Sequence, residues 1–286
     1  MLYKDLLKQI KNVEIFYSNS DNPDNKLIYV NNKNNDKWLN YINKSMHRFI
    51  LTIKFIEKVI TINSGLRVLE LGADPFGMSY IFKKYWNCNL KFAGCDLSGE
   101  DIWLCKNKSK KFKIYFDNAE FDFYSLNLER TKLPFDNNYF DIVICAEIIE
   151  HLTYSPSFML KEINRVTKNN GHFFISTPSV FSLRNLSGHI FNLNRSDKYS
   201  FDGPYGRHNR EFSCSELINI IEQNNFKILK SRLYNINNNK NILYYIKQLL
   251  TCIPIRYIKE KRDIIFIIAE KVGLSDLVLP SYLYRK

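Results

Sequence analysis

Several things are absent from this 286-residue chain, and each absence narrows what it can be. Its six cysteines (Cys88, Cys95, Cys105, Cys145, Cys214, Cys252) form no close C-x-x-C pair, and several lie in apolar runs. Buried free thiols of a reducing compartment are the expected state. No apolar signal region opens the sequence, and no uncharged stretch reaches the roughly 20 residues of a bilayer span, so a cytoplasmic protein is expected. There are no internal repeats. The nicotinamide-dinucleotide pattern Gly-x-Gly-x-x-Gly is missing, which disfavours a dehydrogenase. Acidic residues are short, 29 against 41 basic ones, giving a formal net charge of +12. That balance permits contact with nucleic acid, anionic lipid or phosphorylated substrates. Much of the excess is lysine scattered through an Asn- and Lys-rich composition, so solvated lysines are favoured over a nucleic-acid partner.

What is present begins with hydrophobic content: 45% of the residues are apolar, enough for a folded chain whose length suits one large domain with additions. Its organising stretch is Arg67-Val-Leu-Glu-Leu-Gly-Ala-Asp-Pro-Phe-Gly77. The first half suits a buried strand, and the second is a turn with two glycines. Met78 to Trp86 then has helical apolar spacing. A strand that ends in an acid and a glycine turn and feeds a helix is a cofactor-binding arrangement. Glycine lets the backbone approach a ligand at positive φ, and the helix start offers free N–H groups. Upstream, Ile42, Met46, Phe49, Ile53, Ile56 and Ile60 mark an amphipathic helix from Asp36 to Ser64-Gly65 that would cover this turn. Before it come a short amphipathic start to Phe16 and an exposed loop, Ser18 to Asn35.

Downstream, Leu90 to Asp96 is a second strand, with Asp96 placed 26 positions beyond Glu70. A carboxylate there can accept both ribose hydroxyls of an adenosine. Ser98 and Asp101 cap a following helix. The lysines Lys106, Lys108, Lys110, Lys111 and Lys113 are expected as its solvated end. Phe121 to Leu128 is the third strand. Leu133-Pro134-Phe135-Asp136-Asn137-Asn138-Tyr139-Phe140-Asp141 leads into a fourth, Ile142 to Ala146, followed by a helix opening on Glu147-Ile148-Ile149-Glu150-His151-Leu152. Pro156 opens a helix over Phe158 to Thr167, Asn169-Asn170-Gly171 turns into strand His172 to Ser176, and a further helix spans Ser213 to Asn224. Strand candidates close the chain at Lys227 to Tyr234 and Asp263 to Ala269.

The pattern Glu70-x-Gly72 with Gly77, and above all Leu133-Pro134-Phe135 to Phe140-Asp141, resembles the S-adenosylmethionine-dependent methyltransferases with a Rossmann-like fold, over about Leu66 to Lys230. Asp74 stands where that family carries its middle glycine, and Pro75-Phe76 lengthens the turn. The resemblance implies an α/β fold: a doubly wound, seven-stranded, mostly parallel sheet with helices on both faces, completed by an antiparallel pair. Residues 1–64 would be an N-terminal helical extension and 65–286 the methyltransferase domain, with a lid insertion at about 179–212 and a helical insertion at about 238–261.

It further implies that Glu70, Gly72, Ala73, Asp74, Gly77, Asp96, Leu97, Asn127, Leu128 and Ala146 bind S-adenosylmethionine. Asn127 replaces the usual acid near the adenine, its amide oxygen still able to accept. His151 is the first candidate for a general base, because imidazole titrates near neutrality; His208 is the second, and Glu147 lies beside the methyl group. Glu147, Glu150, His151 and His208 also resemble the metal site of ubiquinone-pathway O-methyltransferases and of enzymes that methylate small-RNA 3′ ends. A divalent metal is disfavoured against acids placed at a helix start. His47, His172 and His189 are expected to be structural or surface residues. The expected activity is methyl transfer to a small-molecule or saccharide acceptor, at oxygen. The rivals are an RNA methyltransferase and a non-catalytic binding protein on the same fold. Residues 241–262 form a basic amphipathic stripe suited to packing on the lid, with peripheral membrane contact the less favoured reading.

Overall fold

The computed structural model describes residues 8–10, 13–19, 28–31, 36–94, 110–182, 185–186, 192, 194, 197–200, 203–236 and 263–276. The strands are β1 (Ile15–Asn19), β2 (Ile28–Asn31), β3 (Arg67–Leu71), β4 (Asn89–Gly94), β5 (Lys110–Phe116), β6 (Ala119–Ser125), β7 (Phe140–Ala146), β8 (Thr167–Pro178), β9 (Phe226–Tyr234) and β10 (Ile264–Lys271). They form a single sheet in the order β2-β1-β5-β6-β4-β3-β7-β8-β10-β9. From β6 to β8 the pairings β6–β4, β4–β3, β3–β7 and β7–β8 are parallel. β10 runs antiparallel between β8 and β9.

The parallel strands are apolar throughout because both faces are covered. Val68, Ile142, Ile144 and Phe174 face one core; Leu69, Leu71, Val143 and Ile175 face the other. Helices α1 (Asp36–Ile56) and α2 (Gly77–Trp86) cover the first face. Helices α3 (Ser157–Val166) and α4 (Cys214–Gln223) cover the second. Ser213 and Glu216 close a reciprocal capping box at the start of α4, each side chain meeting the other's backbone N–H. Ser213→Ala is expected to lose about 1 kcal/mol of stability in urea unfolding.

The seven expected strands are present, and three more extend the sheet beyond β6. Two expectations are corrected here. Residues 1–64 are not a purely helical extension, and the segment Ser18–Asn35 is not simply a loop: β1 pairs antiparallel with β5, and β2 with β1. The lysine run does not end a helix. Lys111 and Lys113 lie on β5, where Phe112, Ile114 and Phe116 are buried between them. That is a period of two, and the Asp117-Asn118 turn, both residues at positive φ, folds β5 back on β6. Lys106, Lys108 and the capping pair Ser98 and Asp101 lie outside the described residues, as do the helical insertion 238–261 and the basic stripe 241–262.

The stretch Leu133–Asp141 is fixed by polar contacts. Arg165 donates to the carbonyls of Leu133 and Phe135 and to Asn137, and Glu162 accepts the Leu133 N–H at 2.8 Å. Asp141 accepts the Arg67 N–H at 2.8 Å and pairs with Lys168, so it ties β7 to its neighbours and takes no part in the site. Among the described residues no helix is long and apolar enough to cross a membrane.

Candidate active site

Parallel strands leave their carboxyl ends free as the place where loops converge, and the predicted residues gather there. Gly72 leaves β3 at φ +66, and its N–H donates to Ala93 O at 2.9 Å. A Cβ on Gly72 would sit 1.9 Å from Ile148 Cδ1, so only glycine fits between the turn and the loop after β7. Gly77 serves a different purpose: its missing Cβ faces Ile42 and Phe49 of α1, which allows the helix to pack on the turn. Phe76, at φ 63, buries its ring against Phe92 and Phe123. Ala73 is buried as well. Asp96 and Leu97, the proposed ribose contacts, lie outside the described residues; β4 delivers the chain to Gly94, directly beside Gly72.

Glu70 is buried, and its carboxyl accepts a 2.5 Å hydrogen bond from Ser79 in the first turn of α2. It therefore joins β3 to α2. Burial pushes its pKa up to about 8. In the unfolded chain the group ionises near 4.3, so its stabilising contribution is complete below that pH and is lost as pH rises toward 8. Glu70→Gln should match the wild type near pH 4 and exceed it by on the order of 4 kcal/mol at pH 8, measured as a shift in urea midpoint.

At the end of β7, the run after Ala146 is not the expected α-helix. Glu147 takes φ 58, and only Ile149–His151 form a single 3-10 turn. That geometry separates the side chains a regular helix would have aligned. Glu147 receives Arg48 of α1 at 2.8 Å and the Ser176 hydroxyl at 2.9 Å. Tyr41, two turns earlier on the same face of α1, lies in the fields of Arg48, Glu70 and Asp74, and burial pushes its phenol up to about 12. Neither residue was identified from the sequence. The signal was there: Tyr41, Ser45 and Arg48 repeat at helical spacing beside the apolar stripe.

Glu150 is fully buried, turned away from Glu147 and toward the histidines. Thr177 donates to its Oε2 at 2.9 Å, while Oε1 has no hydrogen-bond partner and lies 4.0 Å from His151 Nε2. Burial and the neighbouring Glu147 charge raise its pKa well above the carboxylate range. His151 Nδ1 lies 3.0 Å from Arg207 O. A carbonyl only accepts, so Nδ1 carries the proton and Nε2 presents its lone pair. His208 stands edge-on to His151 with ring centroids 4.9 Å apart. Glu211, with Asp197, raises the His208 pKa against its burial. Burial and the His208 charge lower that of His151. The two rings are thus pushed in opposite directions, His208 toward its protonated form and His151 toward its neutral form.

Residues 203–212, part of the expected lid, strap this turn in place. Asn209 and Arg210 N–H groups donate to Glu150 O at 2.7 and 3.2 Å, and Asn209 Nδ2 donates to His151 O. At the β6 end, Asn127 is already engaged: Nδ2 meets Tyr205 Oη at 3.1 Å and Oδ1 accepts from Glu129 N–H. Leu128 is buried beside it. Glu129 gathers the Thr153, Tyr154 and Ser155 N–H groups and the Tyr205 hydroxyl. Glu129 and Tyr205 too were not identified from the sequence, since their partners lie 24 to 76 positions away. His47, His172 and the thiols of Cys88 and Cys214 are not part of this cluster; Cys145 is buried beside it, its thiol pKa raised by burial and by Glu150 and Glu147, and all three thiols are free. His189 lies outside the described residues.

A family model described as a methyltransferase domain matches residues 69–175. A ubiquinone biosynthesis O-methyltransferase of Pelagibacter ubique is 26% identical over 60% of this chain and 66% of its own length. One from Coxiella burnetii is 26% identical over 49% of this chain and 53% of its own. The chain thus spans about half to two thirds of these curated relatives. A crystal structure of a SAM dependent methyltransferase from Archaeoglobus fulgidus superposes with a TM-score of 0.52 at 16% identity, covering 83% of this chain and 100% of that one. Residues 69–175 therefore match a methyltransferase domain, and the sheet they help to build has the Rossmann-like fold of a SAM dependent methyltransferase.

Proposed function

We propose that this protein binds S-adenosylmethionine across the Gly72 turn and transfers its methyl group to an oxygen of a small-molecule or saccharide acceptor. The observation that carries this reading is the meeting, at one sheet edge, of the Gly72 turn with the loop after β7 that bears the His151 imidazole. The donor supplies an electrophilic methyl on a sulfonium. The acceptor oxygen forms the new bond to carbon as the sulfur–carbon bond breaks, and the hydroxyl proton passes to His151 Nε2. The missing Cβ of Gly72 lets Ile148 seat the loop after β7 against the turn, and Ala73 and Asp74 continue the donor's wall. Arg48 holds Glu147, which orients the turn carrying His151. The 203–212 strap keeps the His151 lone pair aimed and helps to exclude water. Asp96 and Leu97 are assigned to the ribose, and Asn127 and Leu128 to the adenine, through the resemblance to the family. The relatives named O-methyltransferases support oxygen as the acceptor atom.

One observation favours a metal-assisted variant. Glu150, His151 and His208 offer ligand atoms within 4.8 Å of one another, and Glu150 Oε1 is buried without a hydrogen bond. Oxygen and imidazole nitrogen suit a divalent first-row ion. These three residues would hold it, and it would lower the pKa of a bound hydroxyl. Glu147, engaged by Arg48 and Ser176, is not part of that set.

Calorimetry with S-adenosylmethionine and its demethylated product is the direct test. Both should bind at micromolar concentrations, and silence from both would remove the reading. Transfer of labelled methyl to acceptor fractions (polysaccharide precursors, quinones, RNA), with and without a chelator, then identifies the acceptor and separates the metal-free from the metal-assisted form.

A further inference from the structure

The opposite, amino-terminal edge of the sheet carries a second site. A groove of about 570 Å³ opens there, lined by Ser64, Lys83, Asn87, Asn89, Lys91 and Lys113. None of these residues belongs to the carboxyl-edge cluster. The sheet register builds its floor. β5 sets Lys113 opposite Asp122 on β6, and the β4–β6 pairing places Lys91 beside the same residue. Lys91 Nζ lies 2.5 Å, Lys113 Nζ 2.9 Å and Lys111 Nζ 3.1 Å from the Asp122 carboxylate. Burial alone would raise that carboxyl, yet the three ammoniums outweigh it and hold its pKa well below the ordinary range.

Three cations on one buried carboxylate are not a balanced arrangement. Glu120 compensates one of them through Lys113. Lys83 adds a further cation at the groove, its Nζ donating to the neutral Asn87 side chain at 3.0 Å. Of the lining residues, Lys83, Lys91 and Lys113 against Asp122 and Glu120 leave one positive charge in excess, and Lys111, beside the groove on the same Asp122 carboxylate, adds a second. Ammoniums held within a few Å repel one another by about 1 kcal/mol per pair even in water, and by more where solvent is partly excluded. An anion in the groove relieves that repulsion.

We propose that this groove binds the phosphate monoester of a small hydroxylated molecule. A phosphate monoester carries about −1.5 to −2 charges at neutral pH, which matches the excess. Lysine ammoniums are effective phosphate partners as point charges. Ser64, Asn87 and Asn89 supply hydroxyl and amide groups that donate to and accept from sugar-type hydroxyls. The volume is in the range of small-molecule sites.

The test titrates the intact protein, without methyl donor, with ribose 5-phosphate, inorganic phosphate and ribose at constant ionic strength, following backbone amide shifts. Ribose 5-phosphate should move the Ser64, Asn87 and Asn89 signals, and ribose should not. Lys83→Gln, which touches no carboxylate and leaves the fold intact, and Lys113→Gln should each weaken binding about tenfold. The proposal is overturned if ribose 5-phosphate leaves these signals still, or binds both variants as it binds the wild type. Inorganic phosphate binding with the ester excluded overturns the hydroxylated-ester assignment. Because no methyl donor is present, either result is independent of the methyltransferase reading.

Discussion

Gly72→Ala should lose about 2–3 kcal/mol of stability together with at least tenfold of affinity for the methyl donor. Two costs add. Alanine at φ +66 pays roughly 1 kcal/mol that glycine does not. Its Cβ would also stand 1.9 Å from Ile148 Cδ1 and 2.7 Å from Cγ1, so Ile148 must leave its position. Ile148 immediately precedes the 3-10 turn that holds Glu150 and His151. Relief of the clash therefore moves the base as well as the turn, and activity should fall further than binding. Gly65→Ala is the control: its Cβ meets only Asn63 Oδ1, at 3.3 Å, and should change little. Urea unfolding and calorimetry with the demethylated product measure the two effects. Wild-type affinity in Gly72→Ala would mean that the turn does not hold the donor.

His151→Ala should lower the turnover number about 10²–10³-fold, the usual worth of a positioned general base, with the donor affinity changed only slightly. The pH profile carries the sharper test. A base must be neutral to act, so the rate rises with pH through its pKa. Burial and the charge of His208 lower the His151 pKa, which places that acid limb below the ordinary histidine value of about 6.5. His208→Ala removes the second of those two causes. Its limb should therefore move up in pH while the rate on the high plateau stays within a few-fold. An unmoved limb would show that the two rings are not electrically coupled, and an active His151→Ala would show that the proton leaves by another route.

The sequence-based expectations followed how local their causes are. Helices α2 and α4 and strands β3, β4 and β7 are set by side-chain period, and all lie within a residue or two of where the sequence puts them. The β5 strand was also legible, as Phe112, Ile114 and Phe116 alternate with Lys111, Lys113 and Tyr115 and lead into Asp117-Asn118. Its lysines alone match a solvated helix end; the apolar half of the alternation is what makes it a strand. The run after Ala146 misled for the opposite reason. Glu147 to Leu152 has helical spacing, but the contacts of Glu147 with Arg48 and Ser176 hold it at positive φ and leave a single tight turn.

By itself the sequence determined the layered sheet, the glycine turn at its carboxyl edge and the residue types that crowd there, since periodicity and the demand for a missing Cβ act over a few positions. Only the tertiary structure decided which of those residues face one another. It turned Glu150, and not Glu147, toward the two histidines. It set Arg48 and Tyr41 of α1 over the turn, and it brought Lys91 and Lys113 onto Asp122 at the far edge. Such pairings depend on strand order and register across dozens of intervening residues, and a burial cost becomes visible only once the neighbours that impose it are in place.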